Sequence, residues 1–304
     1  MTYRPLRPPR DETLDLRGLR HHLTRWGPPS DSPLVFLHGW MDTADSFQFV
    51  VDRLGEEWSC VGLDWRGFGR SDWEPGGYWF PNYLADLDAL LDAVSPARPA
   101  RLIGHSMGGN VASLYAGVRP DRVERLINIE GFGLPRMAAE QAPERYREWL
   151  EQLRGAPEFG TYATFEELAN TLMRRNPRLD RDRAEFIARN WGVESSLGQI
   201  RVRGDPRHKL VNPVLYRREE AEACWRRVTA PVLLVLGGQS QLRSRLGADG
   251  TDAHFNGVFR ELRIETIAGA GHMLHHEQPE EVACLIESFL EEPSPRIGPA
   301  PQPT

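Results

Sequence analysis

The stretch that decides the fold is residues 101–118, RLIGHSMGGNVASLYAGV. It opens with an apolar run typical of a buried parallel strand and continues with a pattern typical of a helix. Between the two stands Gly104-His105-Ser106-Met107-Gly108, a G-x-S-x-G sequence. A serine on a sharp strand-to-helix turn has a strained backbone that exposes its hydroxyl, and glycines are needed where a Cβ would collide. We therefore predict that Ser106 is a nucleophile.

Working outward, further apolar runs of the strand type lie on both sides of this stretch. They cover residues 33–40 (PLVFLHGW), 60–65 (CVGLDW), 123–130 (VERLINIE), 231–237 (PVLLVLG) and 262–269 (LRIETIAG). Helical patterns separate several of them, notably at residues 81–94 and 107–118. Strands that alternate with helices predict an α/β protein with a mostly parallel, doubly wound sheet.

The pattern changes between residues 133 and 225, where polar amphipathic helices replace the buried strands. Thr164 and Glu167 form a capping box at the start of one of these helices. We predict a helical cap at residues 133–225, inserted into a core made of residues 1–132 and 226–292. The Pro-rich residues 293–304 are predicted to be disordered.

The composition narrows the classes of partner and compartment. Of the 304 residues, 40% are apolar and 26% charged, which is ordinary for a soluble globular protein. The net charge of −6 gives no broad basic surface, so we expect neither nucleic acid nor a membrane as a partner. We find no secretory signal and no apolar run of about 20 residues. Three widely spaced cysteines favour free thiols in a reducing compartment, and we therefore expect a cytoplasmic location.

A serine hydroxyl is a poor nucleophile and needs an adjacent base. His272, in Gly269-Ala270-Gly271-His272-Met273, follows the last predicted strand and can reach across the sheet edge to Ser106. With His275 and His276 it also forms an H-x-x-H-H pattern that resembles metal-ligand spacing. No cysteine or acidic cluster near these histidines completes a ligand set. We therefore predict that His272 is the general base, and we predict no metal and no organic cofactor.

The oxyanion of an attacked carbonyl needs hydrogen-bond donors. One predicted donor is the backbone N–H of Met107, which begins the helix after the nucleophile. The other is the N–H of Trp40, in His38-Gly39-Trp40-Met41, where Gly39 lets the backbone come close. We expect His38, at the end of its strand, to have a structural role.

With these motifs placed, the chain resembles the α/β-hydrolase superfamily across nearly all of its core. The matching stretches are LHGW at 37–40, GLDWRGFGRSD at 62–72, GHSMGG at 104–109 and GAGHMLHHEQPEEV at 269–282. Within the superfamily the chain looks most like the serine-hydrolase-like group, whose members are regarded as esterases. The resemblance implies an α/β-hydrolase fold with a catalytic triad. It also implies that Asp64 and Arg66 belong to a turn motif that fixes a loop.

The sequence departs from the superfamily at the triad acid. Most members have an aspartate three residues after the glycine that ends the strand following the cap. Ser240 stands there, and because it carries no charge we expect its replacement by alanine to be nearly silent. Glu130 ends the strand at residues 123–130, 24 residues after Ser106, where some haloalkane dehalogenases carry their acid. A carboxylate buried there needs a partner. We predict that Glu130 is the acid, with Asp249 and Asp252 as alternatives.

These residues together predict hydrolysis of a small-molecule carboxylic ester through an acyl-enzyme on a Ser-His-Glu triad. Serine at position 106 disfavours the opening of alkyl halides and epoxides, which uses an aspartate. Two alternatives stay open: the same triad acting on thioesters, lactones or a carbon–carbon bond, and a ligand receptor of hydrolase fold with little turnover. Cap aromatics that could line an acyl pocket, although such residues most often pack a core, are Trp149, Phe159, Tyr162, Phe165 and Trp191. The natural substrate and the oligomeric state are not predicted.

Overall fold

The computed structural model describes residues 2–155 and 157–293. The strands are β1 (Arg10–Leu16), β2 (Leu19–Trp26), β3 (Leu34–Leu37), β4 (Cys60–Leu63), β5 (Ala100–His105), β6 (Val123–Ile129), β7 (Gly192–Glu194), β8 (Ile200–Val202), β9 (Val232–Gly237) and β10 (Leu262–Ile267). The helices are α1 (Gln48–Val51), α2 (Phe80–Val94), α3 (Met107–Val118), α4 (Ala142–Arg154), α5 (Phe165–Arg175), α6 (Arg181–Trp191), α7 (Arg218–Trp225), α8 (Asp252–Val258), α9 (Leu274–Glu277) and α10 (Pro279–Glu291). None of the helices within these residues is long and apolar enough to cross a membrane. The predicted disorder of the tail concerns residues 293–304, of which residues 294–304 lie outside the described residues.

An 8-stranded sheet organises the chain, in the order β1-β2-β4-β3-β5-β6-β9-β10. From β4 to β10 all neighbours are parallel, as the alternating pattern predicts. The antiparallel strands β1 and β2 were not predicted, because charged and polar residues hide their apolar positions. Arg17 and Gly18 form the two-residue loop between them, and both have positive φ (57° and 80°), as a type I′ hairpin turn requires.

The two faces of the sheet bury separate apolar clusters. In β3, Val35 and Leu37 belong to one cluster, and Leu34 and Phe36 belong to the other, because side chains alternate across a strand. Helices α2 and α3 cover the first face, and α1 and α10 cover the second. The parallel strands β3, β4, β5, β6 and β9 are thus buried on both faces, whereas β10 at the edge is partly exposed. The carboxyl ends of all six strands share one edge of the sheet.

The region predicted as a cap contains α4, α5 and α6, but it is not wholly helical. Strands β7 and β8 pair antiparallel within it, and three-residue strands are too short to give a sequence signal. The predicted boundary at residue 225 falls at the end of α7, which packs against α3 and buries Trp225 with the core.

A buried arginine ties this region to the core. Arg218 in α7 is 0% exposed, and its Nε donates to Glu222 at 2.9 Å. Its Nη1 donates to the carbonyls of Phe132 (3.0 Å) and Leu134 (3.1 Å), and its Nη2 to that of Asp249 (3.2 Å). The chain leaving β6 is therefore fixed by a buried guanidinium through the carbonyls of Phe132 and Leu134.

Candidate active site

Ser106 sits on the strained turn that joins β5 to α3. Its backbone has φ 50° and ψ −112°, a conformation that residues other than glycine rarely adopt. Its N–H donates to the carbonyl of Ile129 in β6 at 2.8 Å, which holds the turn against the sheet. A Cβ on Gly108 would lie 2.1 Å from the carbonyl oxygen of Leu37, so no larger residue fits there. The turn thus places the Ser106 side chain at the carboxyl edge of the sheet.

His272 lies on the loop that follows β10. Its Nε2 is 3.1 Å from Ser106 Oγ, within hydrogen-bond reach, and its side chain is 27% exposed. The loop is held on both sides of this residue. The Gly271 N–H donates to Glu277 Oε2 at 2.5 Å, and the His105 ring bonds through Nε2 to the His272 carbonyl at 2.8 Å.

Glu130 follows β6 directly and, like Ser106, has a positive φ, at 57°. Its side chain is 1% exposed, and its Oε2 lies 3.0 Å from His272 Nδ1. The Gly237 N–H at the end of β9 donates to Oε1 at 2.8 Å, and the Ser240 hydroxyl donates to Oε2 at 2.6 Å. Three donors therefore surround this buried carboxylate and offset the cost of removing its charge from water.

The contact of Ser240 with this carboxylate changes the view of Ser240 taken from the sequence. We expected the residue to be nearly silent, but its hydroxyl shares with His272 the same oxygen of Glu130. The two alternative acids, Asp249 and Asp252, contact arginines instead. Asp249 Oδ2 accepts from Arg136 Nε at 2.8 Å, and Asp252 pairs with Arg243.

The arrangement fixes the tautomer of the imidazole. A carboxylate only accepts hydrogen bonds, so the Nδ1 of His272 carries the proton that it donates to Glu130. The lone pair of Nε2 is then free to accept from the Ser106 hydroxyl. The three side chains can therefore take a proton from the serine and hold the charge that appears on the ring.

The loop after β3 lies against the strained turn. A Cβ on Gly39 would be 3.3 Å from the Ser106 Cβ, so glycine allows the close approach that the sequence predicts. Trp40 follows it, and Met107 is the first residue of α3. Within residues 2–155 and 157–293, we find no protein acceptor for the backbone N–H of either residue. Trp40, Met107 and Ser106 all line one cavity.

The residues expected to be structural make contacts that fix loops. His38 Nε2 accepts from the Trp65 N–H at 3.0 Å, and burial lowers the pKa of His38, so the ring stays neutral. Asp64 accepts from the Ala44 N–H at 2.8 Å, and Arg66 pairs with Asp86 in the interior.

A cavity of about 790 Å³ opens at Ser106 between the core and residues 133–225. Met107 and Leu114 line it from the core side, together with Trp40 and Phe80. Residues that line it from the predicted cap are Leu134, Met137, Arg145, Asn212, Val214, Leu215, Tyr216, Arg217, Glu220, Ala221, Cys224 and Trp225. The lining is mostly apolar, which suits an apolar substituent on a substrate.

The five cap aromatics differ in position. Trp149 lines a smaller cavity of about 270 Å³ that meets the first one at Trp40 and Met107. The other four belong to an apolar cluster that joins the predicted cap to Phe49 of the core; they are Phe159, Tyr162, Phe165 and Trp191. Aromatic spacing alone did not distinguish lining from packing residues.

A family model described as the α/β-hydrolase fold matches residues 32–279, and the chain belongs to this family. Among curated relatives, a serine hydrolase-like protein of Danio rerio is 28% identical over 282 residues, covering 89% of this chain and 85% of that protein. The esterase YbfF of Escherichia coli (strain K12) is 26% identical over 266 residues, covering 86% of this chain and 94% of that protein. The family and these relatives identify the protein as a serine hydrolase of the α/β-hydrolase class.

Solved structures agree with this fold. A thioesterase domain from the curacin biosynthetic pathway matches with a TM-score of 0.82 at 22% identity, covering 92% of this chain and 99% of that chain. A hypothetical protein of Pseudomonas aeruginosa PAO1 matches with a TM-score of 0.80 at 26% identity, covering 93% and 99%. The similarity to the thioesterase domain, at 22% identity, shows only that the fold is shared.

Proposed function

We propose that the protein hydrolyses carboxylic esters through an acyl-enzyme on Ser106, with His272 as general base and Glu130 as the acid of the triad. The observation that carries the proposal is the continuous set of contacts, 3.1 Å from Ser106 Oγ to His272 Nε2 and 3.0 Å from His272 Nδ1 to Glu130 Oε2. The esterase relative from Escherichia coli supports the ester as the substrate class.

In the proposed first half-reaction, Ser106 Oγ attacks the acyl carbon as its proton passes to His272 Nε2. Glu130 stabilises the imidazolium through Nδ1, and the N–H groups of Trp40 and Met107 bind the oxyanion. The tetrahedral intermediate then expels the alcohol, which takes the proton from Nε2.

Water completes the cycle. His272 takes a proton from the water as its oxygen attacks the acyl-enzyme, and the proton returns to Ser106 Oγ when the acid leaves. Every proton in this scheme moves through His272 Nε2, so the scheme needs no second general acid or base.

The cavity at Ser106 supports an apolar group on the substrate. We propose that residues 133–225 act as a cap that covers the triad and selects the substrate, because this stretch supplies much of the lining. The polar atoms of Arg145 and Asn212 at the cavity would meet a more polar part of the same molecule.

Purified full-length protein tests the proposal with a panel of p-nitrophenyl esters from acetate to octanoate, beside matched thioesters and lactones. We expect sustained multiple turnover on the esters and covalent labelling by a fluorophosphonate probe. In Ser106→Ala both should vanish while the circular dichroism spectrum is unchanged, with a rate loss on the order of a million-fold.

Two results would contradict the ester proposal. A single stoichiometric burst without turnover would favour a ligand receptor of hydrolase fold. Turnover confined to thioesters or lactones would keep the triad and replace the substrate class.

A further inference from the structure

A buried cluster of one carboxylate and two imidazoles lies beside the proposed triad without being part of it. Asp42 comes from the loop after β3, and His275 and His276 form the middle of α9. His275 Nε2 lies 3.2 Å from Asp42 Oδ2, and His276 Nε2 lies 3.6 Å from the same oxygen. The three side chains are 7%, 0% and 5% exposed, and their donor atoms all lie within 4.8 Å of one another.

No lysine or arginine in the described part of the chain lies at ion-pair distance from the carboxylate of this cluster. Asp42 Oδ1 accepts from the Thr43 N–H at 2.9 Å and Oδ2 accepts from the Ser46 hydroxyl at 2.9 Å, and both of these donors are neutral. Among the described residues, the groups at ion-pair distance from Asp42 are these two histidines. A buried anion in such surroundings favours a bound cation.

The spacing fits a metal ion. Zinc bonds to imidazole nitrogen and carboxylate oxygen are about 2.1 Å long, so two ligand atoms of a tetrahedral site lie about 3.4 Å apart. The observed separations of 3.2 and 3.6 Å bracket that value. Ser46 Oγ adds a neutral oxygen, 2.9 Å from Asp42 Oδ2 and 3.4 Å from His275 Nε2.

A second observation points to a ligand at the same place. His276 Nε2 is buried, faces Asp42 and makes no hydrogen bond in the structure. Leaving a buried ring nitrogen without a partner is costly, and a metal ion bonded to it would remove that cost.

We propose that Asp42, His275 and His276 form a binding site for one divalent transition-metal ion of the zinc type, with the Ser46 hydroxyl at a fourth position. Two neutral imidazoles and a carboxylate are a ligand set that such ions prefer. Each imidazole would bind through Nε2, the ring nitrogen that lies closest to Asp42.

The site is mechanically connected to the proposed base. Helix α9 begins two residues after His272, so a metal held by His275 and His276 would fix the segment that positions His272. The His105 ring lies between the rings of His275 and His272, with centroid distances of 4.2 Å to His275 and 4.8 Å to His272. We expect occupancy to change the rate at the triad, whereas the binding itself is independent of the proposed reaction.

Metal binding can be measured on untagged, full-length protein freed of metal with a chelator. Titration with Co²⁺, followed by visible absorption, should show one equivalent bound, which Zn²⁺ displaces. Asp42→Asn keeps the shape of the side chain and removes its charge, and it should weaken Zn²⁺ binding by more than about tenfold in calorimetry.

Two matched controls separate this site from others. Glu130→Gln alters the triad, and His254→Gln alters the separate cluster of Glu222, Asp249 and His254. Both variants should bind Zn²⁺ as the wild type does. Absence of stoichiometric binding to the wild type, equal binding by Asp42→Asn, or loss of binding in either control would overturn the proposal.

If circular dichroism shows that Asp42→Asn does not fold, the zinc-loaded wild type can be tested instead. X-ray absorption at the zinc edge then identifies the ligands of the metal. Scattering from two imidazoles, with nitrogen and oxygen bonded to the metal, supports the site. Metal coordination without two imidazoles refutes it.

Discussion

Replacing Glu130 with glutamine tests the proposed acid while keeping the size of the side chain. The Oε2 of Glu130 accepts from both His272 Nδ1 and Ser240 Oγ, and its Oε1 accepts from the Gly237 N–H. An amide supplies one acceptor and one NH₂ donor group. Whichever way it is turned, the NH₂ faces at least one of these donors.

The consequence for the base follows from the tautomer. With NH₂ toward His272, the ring keeps its proton on Nε2, and Nε2 can no longer accept the proton of Ser106. The wrong tautomer in a triad costs on the order of ten-thousand-fold in kcat, which is ~5.4 kcal/mol of transition-state stabilisation. KM should change little, because Glu130 is 1% exposed and is not among the residues that line the cavity.

Initial rates on p-nitrophenyl acetate give both constants, and the matched control is Ser240→Ala. That variant keeps the charge of Glu130 and removes one of its three hydrogen bonds. Such a bond to a charged group contributes about 1.5–3 kcal/mol, so the loss should stay within about a hundredfold. Full activity in Glu130→Gln, with loss of activity in Asp249→Asn, would refute the acid assignment and leave the hydrolase class intact.

Three further predictions concern selectivity, stability and pH. Leu215→Trp narrows the cavity and should lower kcat/KM for octanoate at least about tenfold more than for acetate. The reason is that a hydrophobic pocket discriminates by about 1–3 kcal/mol per methylene. Equal losses on both esters would contradict a role of Leu215 in selectivity. Arg218→Met leaves buried acceptors without a donor and should lower the unfolding free energy by about 3–5 kcal/mol in urea denaturation. A loss below about 1 kcal/mol would contradict the proposed tie between Arg218 and the core. Burial lowers the pKa of His22, but its hydrogen bond and charge interaction with Asp64 outweigh burial and raise that pKa overall. The stabilisation from His22 is therefore fully present below its unfolded pKa of about 6.5 and lost as pH rises through the folded value, so the stability gap between wild type and His22→Gln should shrink with rising pH.

The buried parallel strands could be read from the sequence because each is a short apolar run, and their ends fall within a few residues of the predicted ones. The hairpin of β1 and β2 could not, since its strands are polar and its loop is Arg17-Gly18 rather than a common turn pair. Contacts between distant residues were also invisible. Asp42 meets His275 across 233 positions, so the sequence offered no carboxylate to complete the pair of histidines.

The position of Glu130 close to Ser106 could be predicted from the sequence because of the order of the strands in the sheet. Parallel strands bring their carboxyl ends to one edge, and β6 lies between β5, which leads to Ser106, and β9, which leads to Ser240. An acid from either β6 or the loop after β9 therefore arrives at the same point, and the 2.6 Å contact of Ser240 Oγ with Glu130 Oε2 marks it. The serine at the usual acid position is thus not a simple loss. A second carboxylate there would repel Glu130, whereas a hydroxyl donates to it and restrains the oxygen that faces His272.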